Sequence, residues 1–121
     1  MSELLDVLIL EDQQTNRDRI AQQIHPSIRH QFVCTSLEFQ KFLADGQRAR
    51  NYFLDNQVRH SSGRLEYMFL EHFALLREHD SDGKVFYIGN DPTREEREFC
   101  EDQGIMLIDR SIIGRTAREH Y

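Results

Sequence analysis

Short apolar runs alternate with longer amphipathic segments along the chain. The first run, residues 5–10, is apolar except for one aspartate, as is typical of a strand buried on both faces. The next segment, residues 15–25, is polar with Ile20 and Ile24 four positions apart, which predicts a helix. Pro26 follows and disfavours a helical residue before it, so this helix should end there.

The same alternation recurs four more times. Thr35 and Thr93 each begin a Thr-x-x-Glu capping box, which predicts the start of a helix, and Gly46 and Gly104 predict the ends of those two helices. The predicted strands are 5–10, 31–34, 51–54, 85–88 and 106–108. The predicted helices are 15–25, the one between Thr35 and Gly46, 63–79, the one between Thr93 and Gly104, and 112–120.

The predicted helix 63–79 depends on an apolar stripe of core residues, namely Leu65, Phe69, Phe73 and Leu76. With it, five strands alternate with five helices. Parallel strands need crossover helices, and right-handed crossovers cover both faces of a sheet. We therefore expect an α/β fold in which residues 1–121 form a single doubly wound (βα)5 flavodoxin-like sandwich with a five-stranded parallel sheet.

Composition narrows the functional classes. The chain has 121 residues, of which 39% are hydrophobic and 30% charged, as in a folded globular domain. The net charge of −6 argues against direct nucleic-acid binding, which depends on clustered Lys and Arg. No run approaches the length of a membrane helix, and no cationic region precedes an apolar one at the N-terminus, so we expect a cytoplasmic protein without membrane contacts.

The cysteines and histidines do not predict a metal centre. Cys34 and Cys100 lie in dissimilar contexts without ligand spacing, so both are expected to be reduced and unpaired. The histidines are scattered and are expected at solvent-exposed or helix-terminal positions. They are His25, His30, His60, His72, His79 and His120.

Acidic residues follow two of the predicted strands. Glu11 and Asp12 come after the first strand and Asp55 after the third. The carboxyl ends of parallel strands face one crevice, so these carboxylates should converge. Mg²⁺ prefers a few carboxylate oxygens plus waters and neutralises a phosphoryl group beside them, and Asp55 is a candidate nucleophile that could form an acyl phosphate.

In this pattern the chain resembles the receiver domain of bacterial response regulators over essentially its whole length. The resemblance rests on an acid-pair strand, an acceptor strand and a glycine eight residues beyond the acceptor. These are Leu8-Ile9-Leu10-Glu11-Asp12, Tyr52-Phe53-Leu54-Asp55 and Gly63.

The resemblance implies that a histidine kinase or phosphotransfer protein passes a phosphoryl group to Asp55. Mg²⁺ would be held by Glu11, Asp12, Asp55 and the backbone carbonyl of Gln57. Such a domain catalyses only its own phosphorylation and dephosphorylation. It then signals to a downstream output domain or protein, or forms a homodimer, through the face of the fourth helix, fifth strand and fifth helix.

Several positions depart from the family pattern. Gly89, followed by Asn90, stands where the switch Thr or Ser is usual, so the hydroxyl that would bond the phosphoryl group is missing. Arg110 holds the position of the Lys, and it keeps the charge but has a different shape. Leu107 replaces the aromatic switch residue, and Arg59 replaces a common Pro. We therefore expect an atypical receiver that lacks the usual Thr-to-aromatic coupling.

Other interpretations remain open. Asp12 could serve only the dipole of the first helix, and Asp55 could cap a loop. A pseudo-receiver that keeps the fold and works without phosphorylation would tolerate Asp55→Ala. A haloacid-dehalogenase-like phosphatase is suggested by residues 86–91, but the Asp-x-Asp pattern of that family's nucleophile is absent from the end of the first strand.

Overall fold

The computed structural model describes residues 4–59, 65–89 and 92–108, with the backbone alone described at 57–59 and 65–67. The strands are β1 (Leu4–Leu10), β2 (His30–Val33), β3 (Arg48–Asp55), β4 (Gln57–Arg59), β5 (Leu65–Tyr67), β6 (Lys84–Ile88) and β7 (Met106–Ile108). The helices are α1 (Gln14–Gln23), α2 (Ser36–Ala44), α3 (Phe69–His79) and α4 (Arg94–Gln103). None of these helices combines the length and apolar character needed to cross a membrane.

The predicted α/β class with a five-stranded parallel sheet is confirmed. The strand order is β2-β1-β3-β6-β7, and all four neighbouring pairs are parallel. Counted without the small β4–β5 pair, this order is 2-1-3-4-5, which is compatible with a flavodoxin-like fold. The predicted fifth helix, 112–120, lies outside the described residues.

The central strands are apolar on both sides because helices cover both faces of the sheet. One face of β1, β3 and β6 packs against α2, α3 and α4 in a core that includes Tyr52, Leu54 and Tyr87. The opposite face packs against α1, with Phe53 and Phe86 edge to face at 4.8 Å between ring centroids. The apolar strand runs of the sequence therefore form the middle layer of the fold.

The prediction of one helix over residues 63–79 is wrong at its start. Residues Leu65–Tyr67 form β5, which pairs antiparallel with Gln57–Arg59, and α3 begins at Phe69. The physical reason is that Leu65-Glu66-Tyr67 alternates apolar and polar residues with the period of a strand, although Leu65 also lies four positions before Phe69. The rest of the predicted stripe is confirmed, since Phe69, Phe73 and Leu76 are buried.

The predicted helix ends are largely confirmed. At α4 both arms of the capping box form: Thr93 accepts from the backbone of Glu96, whose carboxylate accepts from the backbone of Thr93. At α2 the Thr35 hydroxyl accepts from the backbone of Glu38 at 3.1 Å, but the Glu38 carboxylate accepts from the N–H of Cys34 instead. Gly46 and Gly104 have positive φ after α2 and α4.

His72 is placed differently from the prediction. His72 lies in the middle of α3 with 1% of its surface exposed. Its Nε2 lies 2.9 Å from the Ser36 hydroxyl of α2, and its ring meets Phe39 edge to face. The expectation of an exposed or helix-terminal position is therefore wrong for His72, which occupies a buried position three residues after Phe69. Cys34 and Cys100 are both free thiols, as predicted.

Candidate functional site

Three carboxylates meet at the carboxyl end of the sheet. Leu10 of β1 pairs with Leu54 of β3, so the residues that follow them, Glu11 and Asp55, lie side by side. Glu11 and Asp55 are fully buried and Asp12 is half-buried, and one oxygen from each lies within 4.8 Å of the others. The predicted convergence of these side chains is confirmed.

Hydrogen bonds to the backbone of Glu11 fix the position of the acidic cluster, which consists of Glu11, Asp12 and Asp55. The N–H of Glu11 donates to the carbonyl of Val33 at 3.0 Å and extends the β1–β2 pairing by one residue. The Arg17 guanidinium of α1 donates to the Glu11 carbonyl at 3.0 Å and to the Gln14 side chain at 2.7 Å. Because the turn between β1 and α1 is held from both sides, Glu11 and Asp12 are presented in a fixed arrangement.

The donor set fits a hard divalent cation. Carboxylate oxygens are the protein ligands that Mg²⁺ prefers, and opposite ligands of an octahedral Mg²⁺ site with bonds of 2.0–2.1 Å lie about 4.2 Å apart. The separation of up to 4.8 Å within the acidic cluster is close to that span. Glu11, Asp12 and Asp55 could thus hold one Mg²⁺ after their side chains move closer together, with waters completing its coordination.

A thiol lies at the edge of the cluster. Cys34 follows β2 and is half-buried. Burial raises the pKa of its thiol, the neighbouring Arg17 lowers it, and Glu38 raises it again. The net pKa is higher than that of a free cysteine, so Cys34 is a neutral thiol at pH 7 and not an additional anionic ligand.

Asn56 occupies the space next to Gly89. A Cβ atom added at Gly89 would lie 2.5 Å from Oδ1 of Asn56 and 3.2 Å from the ring of Tyr87. Asn56 is itself buried, and its N–H donates to the Ile88 carbonyl at 3.1 Å. The absence of a side chain at position 89 therefore has a packing reason, which the sequence did not reveal.

We expect Gly89→Ala to destabilise the protein by about 1–2 kcal/mol, since the new methyl group must displace the buried Asn56 amide. Urea denaturation of wild type, Gly89→Ala, Asn56→Ala and the double variant measures this as a thermodynamic cycle. In the Asn56→Ala background the same glycine substitution should cost less. Equal costs in both backgrounds would show that Asn56 does not set the requirement for glycine.

The predicted site residues are thus brought together in part. Glu11, Asp12 and Asp55 form the cluster, and Gln57 begins β4 two residues beyond Asp55. Asn90 and Arg110 lie outside the described residues, as does Gly63. The side chain of Arg59 is not described, and Leu107 lies on β7 opposite Tyr87 with 39% of its surface exposed.

Sequence reasoning missed Asn56 and Arg17. Asn56 had a detectable signal, because it is a polar residue at the same strand end as Asp55, one position further along the chain. Arg17 had none, since an arginine on the polar side of an amphipathic helix is ordinarily solvated.

Known proteins share the fold of this chain but do not identify its family. No protein-family model matches the chain, and no curated protein matches it. A solved structure that fuses residues 181–211 of the yeast Spc42 trimeric coiled coil to another protein is similar with a TM-score of 0.71 at 12% identity. The match covers 98% of this chain and 76% of the other. At this identity the similarity shows a shared fold alone.

Proposed function

We propose that this chain is an atypical receiver domain with the (βα)5 flavodoxin-like fold, and that Asp55 accepts a phosphoryl group in a Mg²⁺-dependent reaction. The observation that carries the proposal is the convergence of Glu11, Asp12 and Asp55 within 4.8 Å at the carboxyl end of β1 and β3. In open α/β sheets ligands bind in this crevice, beside the point where the strand order reverses. That point lies between β1 and β3 here.

The proposed reaction is a phosphoryl transfer from a phosphohistidine of the partner. A carboxylate oxygen of Asp55 attacks phosphorus and the P–N bond breaks. Its electron pair stays on the imidazole, which takes up a proton, and Asp55 becomes an acyl phosphate. Bound Mg²⁺ would neutralise charge on the transferring group. Glu11 and Asp12 would hold the cation, and the backbone carbonyl of Gln57 would be the further ligand that the resemblance implies.

The partners follow from this role. The donor is a histidine kinase or phosphotransfer protein, and the output is a contact with a downstream domain, protein or second copy of the chain. We propose α4 and β7 as part of that contact. Support comes from Met106 and Leu107 of β7, which expose 46% and 39% of their surfaces.

The test is incubation with Mg²⁺ and acetyl phosphate, followed by intact-mass measurement. Wild type should gain one phosphoryl group, whereas Asp55→Asn should gain none because it lacks the nucleophilic oxygen. The control Asp82→Asn removes an acid from an exposed turn and should react like wild type. An unmodified wild-type protein, beside a reference receiver that is modified, would contradict the proposal.

A pseudo-receiver is the second candidate. It is favoured by the absence of a hydroxyl at Gly89 and by the Asn56 side chain that fills the adjacent space. Such a module would bind its partner equally well with aspartate, asparagine or alanine in the acceptor position. Partner binding by Asp55→Ala therefore distinguishes the two candidates.

A further inference from the structure

A buried chain of hydrogen bonds runs from the residue after Asp55 to the start of α4. The Asn56 side chain and the Tyr87 ring both border Gly89, so the two side chains are neighbours, and hydrogen bonding from Asn56 acts to lower the pKa of the Tyr87 hydroxyl. The Tyr87 hydroxyl in turn donates to Oε1 of Glu96 at 3.0 Å. The same Glu96 oxygen accepts the N–H of Thr93 at 2.8 Å. Asn56, Tyr87 and Glu96 each expose 4% of their surface or less. The acceptor strand and the first turn of α4 are therefore joined through polar groups in the core.

The two ends of this series of hydrogen bonds, Asn56 and Glu96, are held in place by different contacts. The backbone of Asn56 is fixed on both sides, because its N–H donates to Ile88 and its carbonyl accepts from Met68, each at 3.1 Å. Its side chain rests over Gly89, which has no side chain of its own, and beside the ring of Tyr87. At the far end, Glu96 is part of the capping box that begins α4. A rotation of the Asn56 amide is thus the simplest movement that connects the two ends.

From this geometry we propose that Asn56, Tyr87 and Glu96 are a relay that couples the state of Asp55 to the first turn of α4. The inference rests on the proposed function, since it needs phosphorylation of Asp55. It assigns the coupling to the residue that follows β3 and to residues of β6 and α4, in place of a hydroxyl at position 89.

A difference in hydrogen-bond strength drives the relay. Phosphorylation adds three anionic acceptor oxygens one residue from Asn56, and a charged acceptor forms a stronger bond than a neutral phenol. The Asn56 amide turns from the Tyr87 hydroxyl towards the phosphoryl oxygens. Tyr87 is then held by Glu96 alone, and the capping box of α4 loses part of its support.

Hydrogen exchange at the start of α4 tests the relay. We expect the amides of Thr93, Glu96 and Arg97 to exchange about fivefold faster in the phosphorylated wild type, the effect of losing one hydrogen bond. Tyr87→Phe should be phosphorylated to the same extent on Asp55 and should show no such change. Asn56→Ala is a second variant with the same expected loss of response.

Tyr52→Phe is the matched control. Tyr52 is equally buried, and its hydroxyl also donates to a carboxylate, that of Asp80 at 2.7 Å, at the other end of the sheet. This variant should respond like wild type. A retained fivefold response in Tyr87→Phe and Asn56→Ala would overturn the relay while leaving the proposed function intact. A wild-type protein that is not phosphorylated would overturn both, and intact mass separates the two outcomes.

Discussion

Metal-free Asp55→Asn is expected to be more stable than wild type by about 1 kcal/mol. Two like charges 4.8 Å apart repel by about 1 kcal/mol at the dielectric constant of water and by about 3 kcal/mol at an effective value of 20. Glu11, Asp12 and Asp55 also interact with other groups, which offset part of this repulsion, so the smaller figure is the better guide. Asparagine keeps the shape of the side chain and removes one of the three charges.

Added Mg²⁺ should make wild type more stable than Asp55→Asn, the reverse of the metal-free order. A ligand that binds only the folded state stabilises it by about 2.7 kcal/mol at a hundred times its dissociation constant. Wild type should gain stability with rising Mg²⁺ concentration, and Asp55→Asn should gain much less because one of its carboxylate ligands is missing. Guanidinium or urea denaturation with and without Mg²⁺ measures both effects.

The control for this experiment is Asp82→Asn, which removes the same charge from an exposed turn. Its stability should stay within about 0.5 kcal/mol of wild type, and it should keep the full response to Mg²⁺. If metal-free Asp55→Asn is less stable than wild type, packing and hydrogen bonds of Asp55 outweigh the repulsion, and the cluster is not the source of strain that its geometry suggests.

The second large effect is a loss of stability in mild acid caused by His72. Burial lowers the pKa of His72 to about 4, from an ordinary value of 6.5. Below pH 6.5 the His72 imidazole binds a proton in the unfolded chain but stays neutral in the folded protein. The free energy of unfolding therefore falls as the pH is lowered from 6.5 to about 4. The difference of 2.5 units corresponds to a loss on the order of 3 kcal/mol.

His72→Gln should remove this loss. Glutamine does not titrate and can still bond to the Ser36 hydroxyl, so the variant should show a flatter profile of stability between pH 7 and 4. His25→Gln is the matched control, because His25 also bonds to a serine hydroxyl, that of Ser27 at 2.7 Å, but is exposed. Urea denaturation at several pH values compares them. An unchanged slope in His72→Gln would assign the acid sensitivity to other groups.

The candidate site was predictable because its residues follow local signals. Apolar runs mark the strands, and the chain direction of a parallel sheet brings their carboxyl ends together. The sequence therefore predicted that Glu11, Asp12 and Asp55 meet before their distances were known. The role of Gln57 as a ligand and the nature of the phosphodonor stay predictions.

The two wrong predictions, the start of α3 and the position of His72, have a common cause. Leu65 fits both a helical stripe with Phe69 and an alternating strand with Tyr67, and only the partner strand Gln57–Arg59 decides between them. Likewise, His72 lies three positions after Phe69 and four before Leu76, which places it on the buried stripe of α3. A polar residue on such a stripe is ambiguous until a partner such as Ser36 is known.

The sequence by itself determined the α/β class, the five parallel strands and the acidic cluster, because these depend on residue periodicity and on chain direction. Only the tertiary structure decided that Asn56 fills the space beside Gly89 and that Tyr87 links Asn56 to Glu96. Those contacts join the residue that follows β3 to β6 and α4. Their partners are far apart in sequence, and it is the packing of side chains in the core that brings them within hydrogen-bonding distance.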